Sequence, residues 1–379
     1  MSWRDSELGD FLTLKRGHDL PKGSRKSGDI PVVSSSGFTG THSEAIAEPP
    51  GVVTGRYGTI GEVFYVDQPY WPLNTALYVI DFKGNDPKFI AYFLRHQLKN
   101  YQSDKAAVPG VDRNVLHKLP ARCPDLSVQH IVVRILSAYD DLIENNRRRI
   151  ALLEESARQL YKEWFVRFRF PGHEHVRIVD GVPEGWERCG FPEVVDFKEG
   201  PGLRNFQYRE EGIPFINIRM LGNGDIDLSK AQFLDENELE TKYRHFLVAE
   251  NDHVVSSSGT LGRVATVRKC HLPLCLNTSI IRMRPKGKFG VWTLRAYLSH
   301  GDFLDQATAR ATGAAQLNFG PSHLKQMDVL VPSKMLLDFA EDFFAPLYEQ
   351  IKVIHDQNQQ LTKARDLLLP KLMSGALSV

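Results

Sequence analysis

An internal repeat constrains this 379-residue chain more than any other feature of its sequence. Three pairs of segments carry the repeat: Gly58-Thr59-Ile60-Gly61 with Gly259-Thr260-Leu261-Gly262, Asn74-Thr75 with Asn277-Thr278, and Leu116 and Pro124 with Leu324 and Pro332. The pairs keep one order, and their offset grows from 201 to 208 positions along the chain. This pattern predicts a duplicated architecture whose second copy carries loop insertions.

Each copy begins with short strand-like runs, such as 51–54 and 76–80, that are separated by Gly, Pro, Ser and Asn turn residues. A helix-like segment lies inside each copy, at 88–98 and at 291–299. After Pro124 and Pro332, apolar residues recur with alternating three- and four-residue spacing, which is typical of a packed helix pair. Each such helix would run for roughly 35 to 40 residues, about 55 Å, and would need a partner helix that the other copy supplies.

These patterns predict an α+β fold. Two mixed α/β domains, related by pseudo-twofold symmetry, would be separated by two long antiparallel helices. The predicted segments are a first mixed domain (1–126), a first long helix (127–169), a turn-rich linker (170–185), a second mixed domain (186–332) and a second long helix (333–379).

Composition restricts the classes of function. The formal net charge is +1, so DNA could be held only by local basic patches or with the help of partners. No run approaches the roughly 18 apolar residues of a membrane helix. The N-terminal sequence lacks a secretory pattern, and the four cysteines are too scattered for a disulfide framework. We therefore expect a cytoplasmic protein with no membrane partner.

Catalytic motifs are largely missing from the sequence. We find neither a phosphate-binding Gly-x-x-x-x-Gly-Lys-Ser/Thr loop nor a methyl-donor loop with an aromatic clamp. A nuclease-like set, Asp225 or Asp227 with Glu240 and Lys242, is short enough to arise by chance. The expectation is a chain with no catalytic residues and no metal site.

Polar and basic clusters suited to DNA occur in both copies, since Arg, Asn, Gln and Ser can read base edges while Lys and Ser hold phosphates. The candidate DNA contacts are Arg16, Lys22, Arg25, Lys26, Ser35, Arg56, Tyr57 and Arg113 in the first copy, and Arg204, Gln207, Tyr208, Arg209, Ser257, Arg263, Arg310, Gln316 and Asn318 in the second. The serine runs 34–36 and 256–258 look equivalent in the two copies. On the long helices, the candidate partner contacts are Ile143, Ile150, Leu153, Ile354, Leu361 and Leu368.

The domain order and several local sequences resemble the specificity (S) subunits of type I restriction–modification systems, over nearly the whole chain. The resemblance is carried by Leu8-Gly9-Asp10, Gly28-Asp29-Ile30-Pro31, the segments 55–61, 74–75 and 182–187, and, most specifically, the C-terminal segment 361–375. The second copy departs from the pattern, because Phe191-Pro192-Glu193 stands where a Leu-Gly-Asp opening is expected.

The resemblance implies a non-enzymatic subunit with two target-recognition domains, each reading one half of a split double-stranded DNA sequence. It also implies two methyltransferase (M) subunits, docked on the long helices, and restriction/translocase (R) subunits. Those partners would bring S-adenosylmethionine, ATP and Mg, and this chain would hold no cofactor. Two other hypotheses stay open: a nuclease or methyltransferase fused to a specificity module, and a helical protein-interaction scaffold.

Overall fold

The computed structural model describes residues 3–57, 61–99, 101, 110–311, 317–377 and 379. The chain forms two compact units. The first unit comprises Met1–Asn145 and Asn358–Val379, and the second comprises Asn146–Gln357. Each unit therefore contains one mixed domain and one end of each of two long helices.

The mixed domain of the first unit is built on antiparallel strands. Its described elements are β1 (Trp3–Glu7), β2 (Thr13–Arg16), β3 (Ile30–Ser34), β4 (Gly37–His42), β5 (Gly51–Gly55), β6 (Val63–Val66), β7 (Trp71–Pro72), β8 (Ala76–Asp81), α1 (Pro87–Leu98), α2 (Arg113–His117) and β9 (Pro120–Pro124). The central sheet has the order β2-β8-β5-β6, a second sheet has the order β4-β3-β7, and β1 pairs with β9. Apolar residues of the central sheet share one buried core with Phe89 and Phe93 of α1.

The first long helix, α3, runs over Leu126–Tyr161 and continues as a π-helical turn over Lys162–Val166. The linker that follows contains a single 3-10 turn at His173–His175 and a hairpin of β10 (Ile178–Val179) and β11 (Val182–Pro183). A turn at Asp180 and Gly181, both with positive φ, closes this hairpin.

The second unit contains the other mixed domain and most of the last helix. Its elements are β12 (Glu187–Gly190), α4 (Phe191–Val194), β13 (Val195–Glu199), β14 (Ile213–Phe215), β15 (Leu221–Gly222), β16 (Asp225–Ile226), β17 (Gln232–Leu234), α5 (Glu236–Glu238), β18 (His253–Ser256), β19 (Val264–Thr266), β20 (Ile280–Pro285), α6 (Val291–Ser299), α7 (Gly301–Arg310), α8 (Pro321–Leu324), β21 (Asp328–Val331) and α9 (Lys334–Met373). The helix α9 begins in this unit and ends in the first.

The two mixed domains share their topology. The sheet order β13-β20-β18-β19 repeats β2-β8-β5-β6, and the pair β12–β21 repeats β1–β9. The second copy also carries insertions, because the hairpin of β15 and β16 lies between β14 and its partner β17. Phe191 is fully buried at the position that Leu8, also fully buried, occupies in the first copy. The departure noted in the sequence therefore preserves an apolar side chain in the core.

Residues spaced by seven are buried along α3 and its π-helical extension: Leu136, Ile143, Ile150, Ala157 and Trp164. This period is the one that keeps an apolar seam against a partner helix. In the first unit, Arg365 of α9 donates a hydrogen bond to Asp140 of α3 at 2.5 Å. In the second unit, the Trp164 ring stacks on Phe339 of α9, with 5.7 Å between centroids. Within each unit, a segment near the start of one long helix thus packs beside a segment near the end of the other.

The long helices also hold the N-terminus of a shorter helix in each domain. Buried Gln129 of α3 accepts the N–H of Asp86 at 2.9 Å, and Asp86 caps α1 through the N–H of Phe89. In the second unit, the Glu341 carboxylate of α9 accepts the N–H groups of Trp292 and Thr293, both at 2.9 Å. Because these N–H groups have no partner inside their own helix, the bonds fasten each domain to its long helix. No helix in the described part of the chain is long and apolar enough to cross a membrane.

Candidate nucleic-acid interface

Several predicted DNA contacts of the first unit gather at one edge of the central sheet, where β2 and β5 end and β8 begins. Thr75, just before β8, connects two of the loops at this edge. Its carbonyl accepts the N–H of Arg56 at 2.9 Å, and its Oγ1 accepts the N–H of Ser35 at 3.4 Å. Arg16 is exposed at the end of β2, at the same edge. We call this group of loops the first recognition edge.

Arg56, Tyr57 and Arg113 are brought close together at the first recognition edge. The Arg56 guanidinium lies over the Tyr57 ring, 4.6 Å from its centroid, and the Tyr57 side chain is 38% exposed. The Arg56 carbonyl accepts the N–H of Val111 at 2.8 Å, so the exposed Arg113 at the start of α2 follows two residues later. The cation–π contact orients the guanidinium before any ligand arrives.

The basic residues Lys22, Arg25 and Lys26 lie in one loop of the first unit, where Arg25 supports the fold and the two lysines carry exposed charge. Arg25 is half-buried and donates from Nη1 to the Thr39 carbonyl at 2.6 Å, so it braces the hairpin of β3 and β4. Lys22 is exposed in a 3-10 turn, and exposed Lys26 places its Nζ 3.3 Å from a Glu44 carboxylate oxygen. The two lysines are the residues of this loop that can approach phosphates.

The second unit repeats the backbone scaffold of the first recognition edge, and the corresponding loops form the second recognition edge. Three backbone N–H to carbonyl hydrogen bonds of the first unit recur in the second. In the first unit they run from Gly17 to Ala76 (3.0 Å), from Arg56 to Thr75 (2.9 Å) and from Val111 to Arg56 (2.8 Å). In the second unit the corresponding bonds run from Gly200 to Ile280 (3.3 Å), from Ser257 to Ser279 (3.0 Å) and from Phe319 to Ser257 (3.1 Å). The glycines are required, because a Cβ on Gly17 would lie 2.1 Å from the Leu73 carbonyl and one on Gly200 would lie 2.4 Å from Asn277 N.

These bonds correct two alignments made from the sequence. The counterpart of Thr75 is Ser279, one residue later than the repeated Asn-Thr pair indicates. The serine run 256–258 corresponds to 55–57 and not to 34–36, because Ser257 makes the bonds of Arg56. Backbone hydrogen bonds decide these equivalences, and local sequence similarity does not.

Different side chains stand on the shared scaffold. Glu199 takes the place of Arg16 before the close glycine, and burial raises the pKa of this carboxyl. Ser257 takes the place of Arg56, and Ser258 that of Tyr57. The two edges therefore have the same backbone frame and different hydrogen-bonding groups.

Two predicted DNA contacts of the second unit are buried. Gln207 is 5% exposed, and its amide donates to Glu238 at 2.8 Å and to the Tyr243 hydroxyl at 3.0 Å. Ser257 is 2% exposed. Since neither side chain reaches the surface, the prediction that they contact DNA is corrected: they shape the edge from inside.

The remaining predicted contacts of this unit differ in exposure. Arg204, Arg209, Arg263 and Asn318 are exposed, whereas Tyr208 and Arg310 are half-buried. Arg209 donates to the carbonyls of Phe206 and Tyr208, and Arg263 donates to the Leu221 carbonyl at 3.0 Å. Arg310 donates to the Gln306 carbonyl at the end of α7. Gln316, like residues 58–60 of the first glycine-rich segment, lies outside the described residues.

The apolar residues predicted to contact partners are buried or half-buried on the long helices. Ile143, Ile150 and Ile354 are at most 5% exposed, and Leu153, Leu361 and Leu368 are half-buried. The large apolar side chains that α3 and α9 expose are other residues: Leu126, Leu142, Leu152, Met335, Phe339, Phe343, Val353 and Leu367. Of the two neighbours Leu142 and Ile143, Leu142 is 44% exposed and Ile143 is 3% exposed.

The nuclease-like set does not assemble. Both oxygens of Asp225 accept hydrogen bonds from Arg268, at 3.0 and 2.6 Å, and Lys242 pairs with Glu238 at 3.4 Å. Asp227 accepts the N–H of Ser229. Within the residues that the structure describes, no group of three or more His, Cys, Asp or Glu side chains is placed to hold a metal ion.

Comparisons with known proteins agree on one family. The family described as "Type I restriction modification DNA specificity domain" matches residues 1–155. The MjaIX specificity subunit of Methanocaldococcus jannaschii is 25% identical over 293 residues, which cover 73% of this chain and 65% of that subunit. The HindI specificity subunit of Haemophilus influenzae is 22% identical over 336 residues, covering 72% of each chain.

The MjaVIII specificity subunit of the same Methanocaldococcus jannaschii matches over a shorter region. The chain therefore spans 65% of the length of the MjaIX subunit and 40% of the length of the MjaVIII subunit. A crystal structure of the S subunit of a type I restriction–modification system from M. genitalium matches with a TM-score of 0.56. That match covers 98% of this chain and 96% of the other at 18% identity, which shows a shared fold.

Proposed function

We propose that this chain is a specificity subunit of a type I restriction–modification system and that each mixed domain reads one half of a bipartite DNA sequence. One observation carries this proposal: the two units repeat one hydrogen-bonded scaffold and mount different side chains on it, as at exposed Tyr57 and half-buried Ser258. Two edges with one frame and different donors and acceptors select different bases.

The first recognition edge has the chemistry for direct readout. A guanidinium that is already oriented, as Arg56 is by the Tyr57 ring, can donate two hydrogen bonds to O6 and N7 of a guanine. Lys22 and Lys26 would hold phosphates and set the position of the edge on the duplex. In the second unit, Arg204, Arg263 and Asn318 are the exposed candidates for the same two tasks.

The proposal includes the arrangement expected from the sequence, with α3 and α9 antiparallel and the two domains related by a pseudo-twofold axis. It is supported by each unit, where the start of one long helix lies beside the end of the other. A 36-residue helix such as α3 has a length of about 54 Å. The helices would therefore separate the two readers and set the number of unread base pairs between the half-sites.

Methyltransferase subunits would dock on the exposed apolar residues of the long helices. Leu152 and Val353 in the second unit are 69% and 53% exposed, and Leu367 in the first unit is 68% exposed. Such side chains suit the buried core of a protein interface, which is more apolar than its rim. The partners would bring S-adenosylmethionine for adenine methylation, and restriction subunits would bring ATP and Mg for translocation and cleavage.

Selection of a random duplex library by the complex of this chain with its methyltransferases tests the readout. The wild type should select two short sequences with a fixed gap. Arg56→Ala should relax one position of the first half-site, and Arg263→Ala one position of the second, each at about 1–3 kcal/mol. A substitution in one domain that alters bases of the other half-site would contradict the proposal. A chain that served only as a scaffold would select no sequence.

The docking surface has its own test. Leu152→Glu should reduce co-purification of the methyltransferase, because a carboxylate would be buried without a partner in the interface. Ile178, which is 58% exposed in the linker hairpin, supplies a matched control as Ile178→Glu. Equal co-purification of the two variants would place the docking surface elsewhere.

A further inference from the structure

We propose that Phe206 is a specificity-determining residue whose ring stacks on a base of the second half-site. The inference rests on the proposed function and names a contact within it. Phe206 is 80% exposed, although its neighbour Gln207 in the same 3-10 turn, Asn205–Gln207, is buried. A large aromatic ring is thus presented to solvent by a turn whose next side chain is anchored in the domain.

The turn lies at the second recognition edge. It follows β13 and Gly200, just as the 3-10 turn Lys22–Ser24 follows β2 and Gly17 in the first unit. The strand that follows the turn is β14 in the second unit and β3 in the first. Phe206 therefore occupies the middle position that Gly23 occupies in the first unit.

The backbone that carries the ring is firmly held. The Gln207 side chain accepts the N–H of Arg204 at 2.8 Å while its amide binds Glu238 and Tyr243. On the other side, the Tyr208 ring packs on buried Phe215, 5.0 Å between centroids. Arg209 donates from one nitrogen to the carbonyls of both Phe206 and Tyr208. Because this segment is already ordered, little conformational entropy would be lost when the ring meets a ligand.

The charge of the loop favours stacking over phosphate binding. Between Pro201 and Gly212, two arginines, Arg204 and Arg209, are balanced by Glu210 and Glu211. A loop with no net charge gains little from a polyanion, so affinity at this point must come from another source. An aromatic ring stacked on a base supplies it without a positive charge. The same turn in the first unit carries Lys22, which suits a phosphate.

The experiment compares Phe206→Ala, Phe206→Leu and Phe206→Trp with the control Ile178→Ala, all as the complex with methyltransferase subunits. Binding is measured on the random duplex library, and then on a selected duplex with 2-aminopurine placed along the second half-site. Phe206→Ala and Phe206→Leu should bind about 5- to 100-fold more weakly, because they lack a ring to stack. They should lose preference at one or two adjacent positions of the second half-site, while selection of the first half-site stays unchanged.

Two further readouts separate stacking from other roles. The slope of binding against salt concentration should not change in Phe206→Ala, since the ring neutralises no phosphate. Phe206→Trp, which keeps an aromatic ring, should match the wild type both in affinity and in the 2-aminopurine signal. Ile178→Ala should match the wild type throughout.

Unchanged affinity and base preference in a folded Phe206→Ala complex would overturn the inference. Reduced methyltransferase retention with an unchanged base preference would also overturn it, by assigning the ring to a protein interface. A wild-type complex that selects no bipartite sequence would instead refute the proposed function itself, so the two failures can be distinguished.

Discussion

Replacement of Arg268 by methionine removes the cation at the centre of a buried ion network in the second unit. Arg268 is 4% exposed and donates to both carboxylate oxygens of Asp225, at 3.0 and 2.6 Å, and to Asp356 of α9. Asp225 also lies 3.4 Å from His271 and 3.4 Å from His355. The network therefore links the inserted β16 hairpin, the loop after β19 and the long helix.

The expected loss of stability follows from this burial. Removal of one partner from a buried ion pair costs about 3–5 kcal/mol, because the other charge is left without compensation. The Asp225 side chain keeps 21% exposure to water, which favours the lower end, about 3 kcal/mol. For a unit of this size, that loss corresponds to a fall in Tm of roughly 6–12 °C.

The same variant should have a distinctive pH dependence. Burial lowers the pKa of His271 to about 4, and the Arg268 charge contributes to the lowering while Asp225 opposes it. Because an unfolded histidine has a pKa near 6.5, this neutral imidazole contributes stability that is complete above pH ~6.5 and is lost as pH falls towards 4. Burial also lowers the pKa of His355. The Arg268 charge lowers this pKa further, whereas Asp225 raises it. Without the cation, Asp225 can stabilise protonated histidines, so the deficit of Arg268→Met should shrink between pH 7.5 and pH 5.

Denaturant unfolding of the full chain at these two pH values measures both effects. Lys230→Met is the matched control, because Lys230 pairs with Asp227 at 3.0 Å on the surface and its loss should cost less than about 0.5 kcal/mol. A deficit for Arg268→Met below about 1 kcal/mol would refute the role given to the network. A deficit of equal size at both pH values would refute the coupling between Asp225 and the two histidines.

Three further predictions concern DNA, helix capping and spacing. Lys22→Ala should weaken binding to all sequences alike and reduce the salt slope by about 1, and a change in base preference would speak against a phosphate contact. Glu341→Ala should cost about 1–2 kcal/mol and speed amide exchange at the start of α6, because the N–H groups of Trp292 and Thr293 lose their acceptor. Insertion of seven residues into both long helices, after Asn145 and after Gln357, keeps the seven-residue seam and adds about 10 Å. The preferred gap should then grow by about three base pairs with both half-sites unchanged, and retention of the original spacing would show that the helices do not set it.

The duplication of the mixed domain could be predicted from the sequence alone. The order of the repeated segments indicated two copies of one domain, and the structure shows the same strand order in both. The helix expected at 291–299 has those bounds, and the one expected at 88–98 begins one residue earlier, at Pro87. Such features are accessible from sequence because apolar periodicity and turn residues act within a few positions of each other along the chain.

The direction of individual loop side chains, by contrast, depends on contacts between residues that are far apart in the chain. Gln207 was predicted to contact DNA and Phe206 was not, yet Gln207 is buried and Phe206 is exposed. Gln207 donates the hydrogen bond that holds it inwards to Glu238, 31 positions away. The equivalence of Thr75 and Ser279 likewise depends on bonds to distant strands. Local spacing carries no record of such partners, so it can place a loop at an edge of the sheet without deciding which of its residues reaches a ligand.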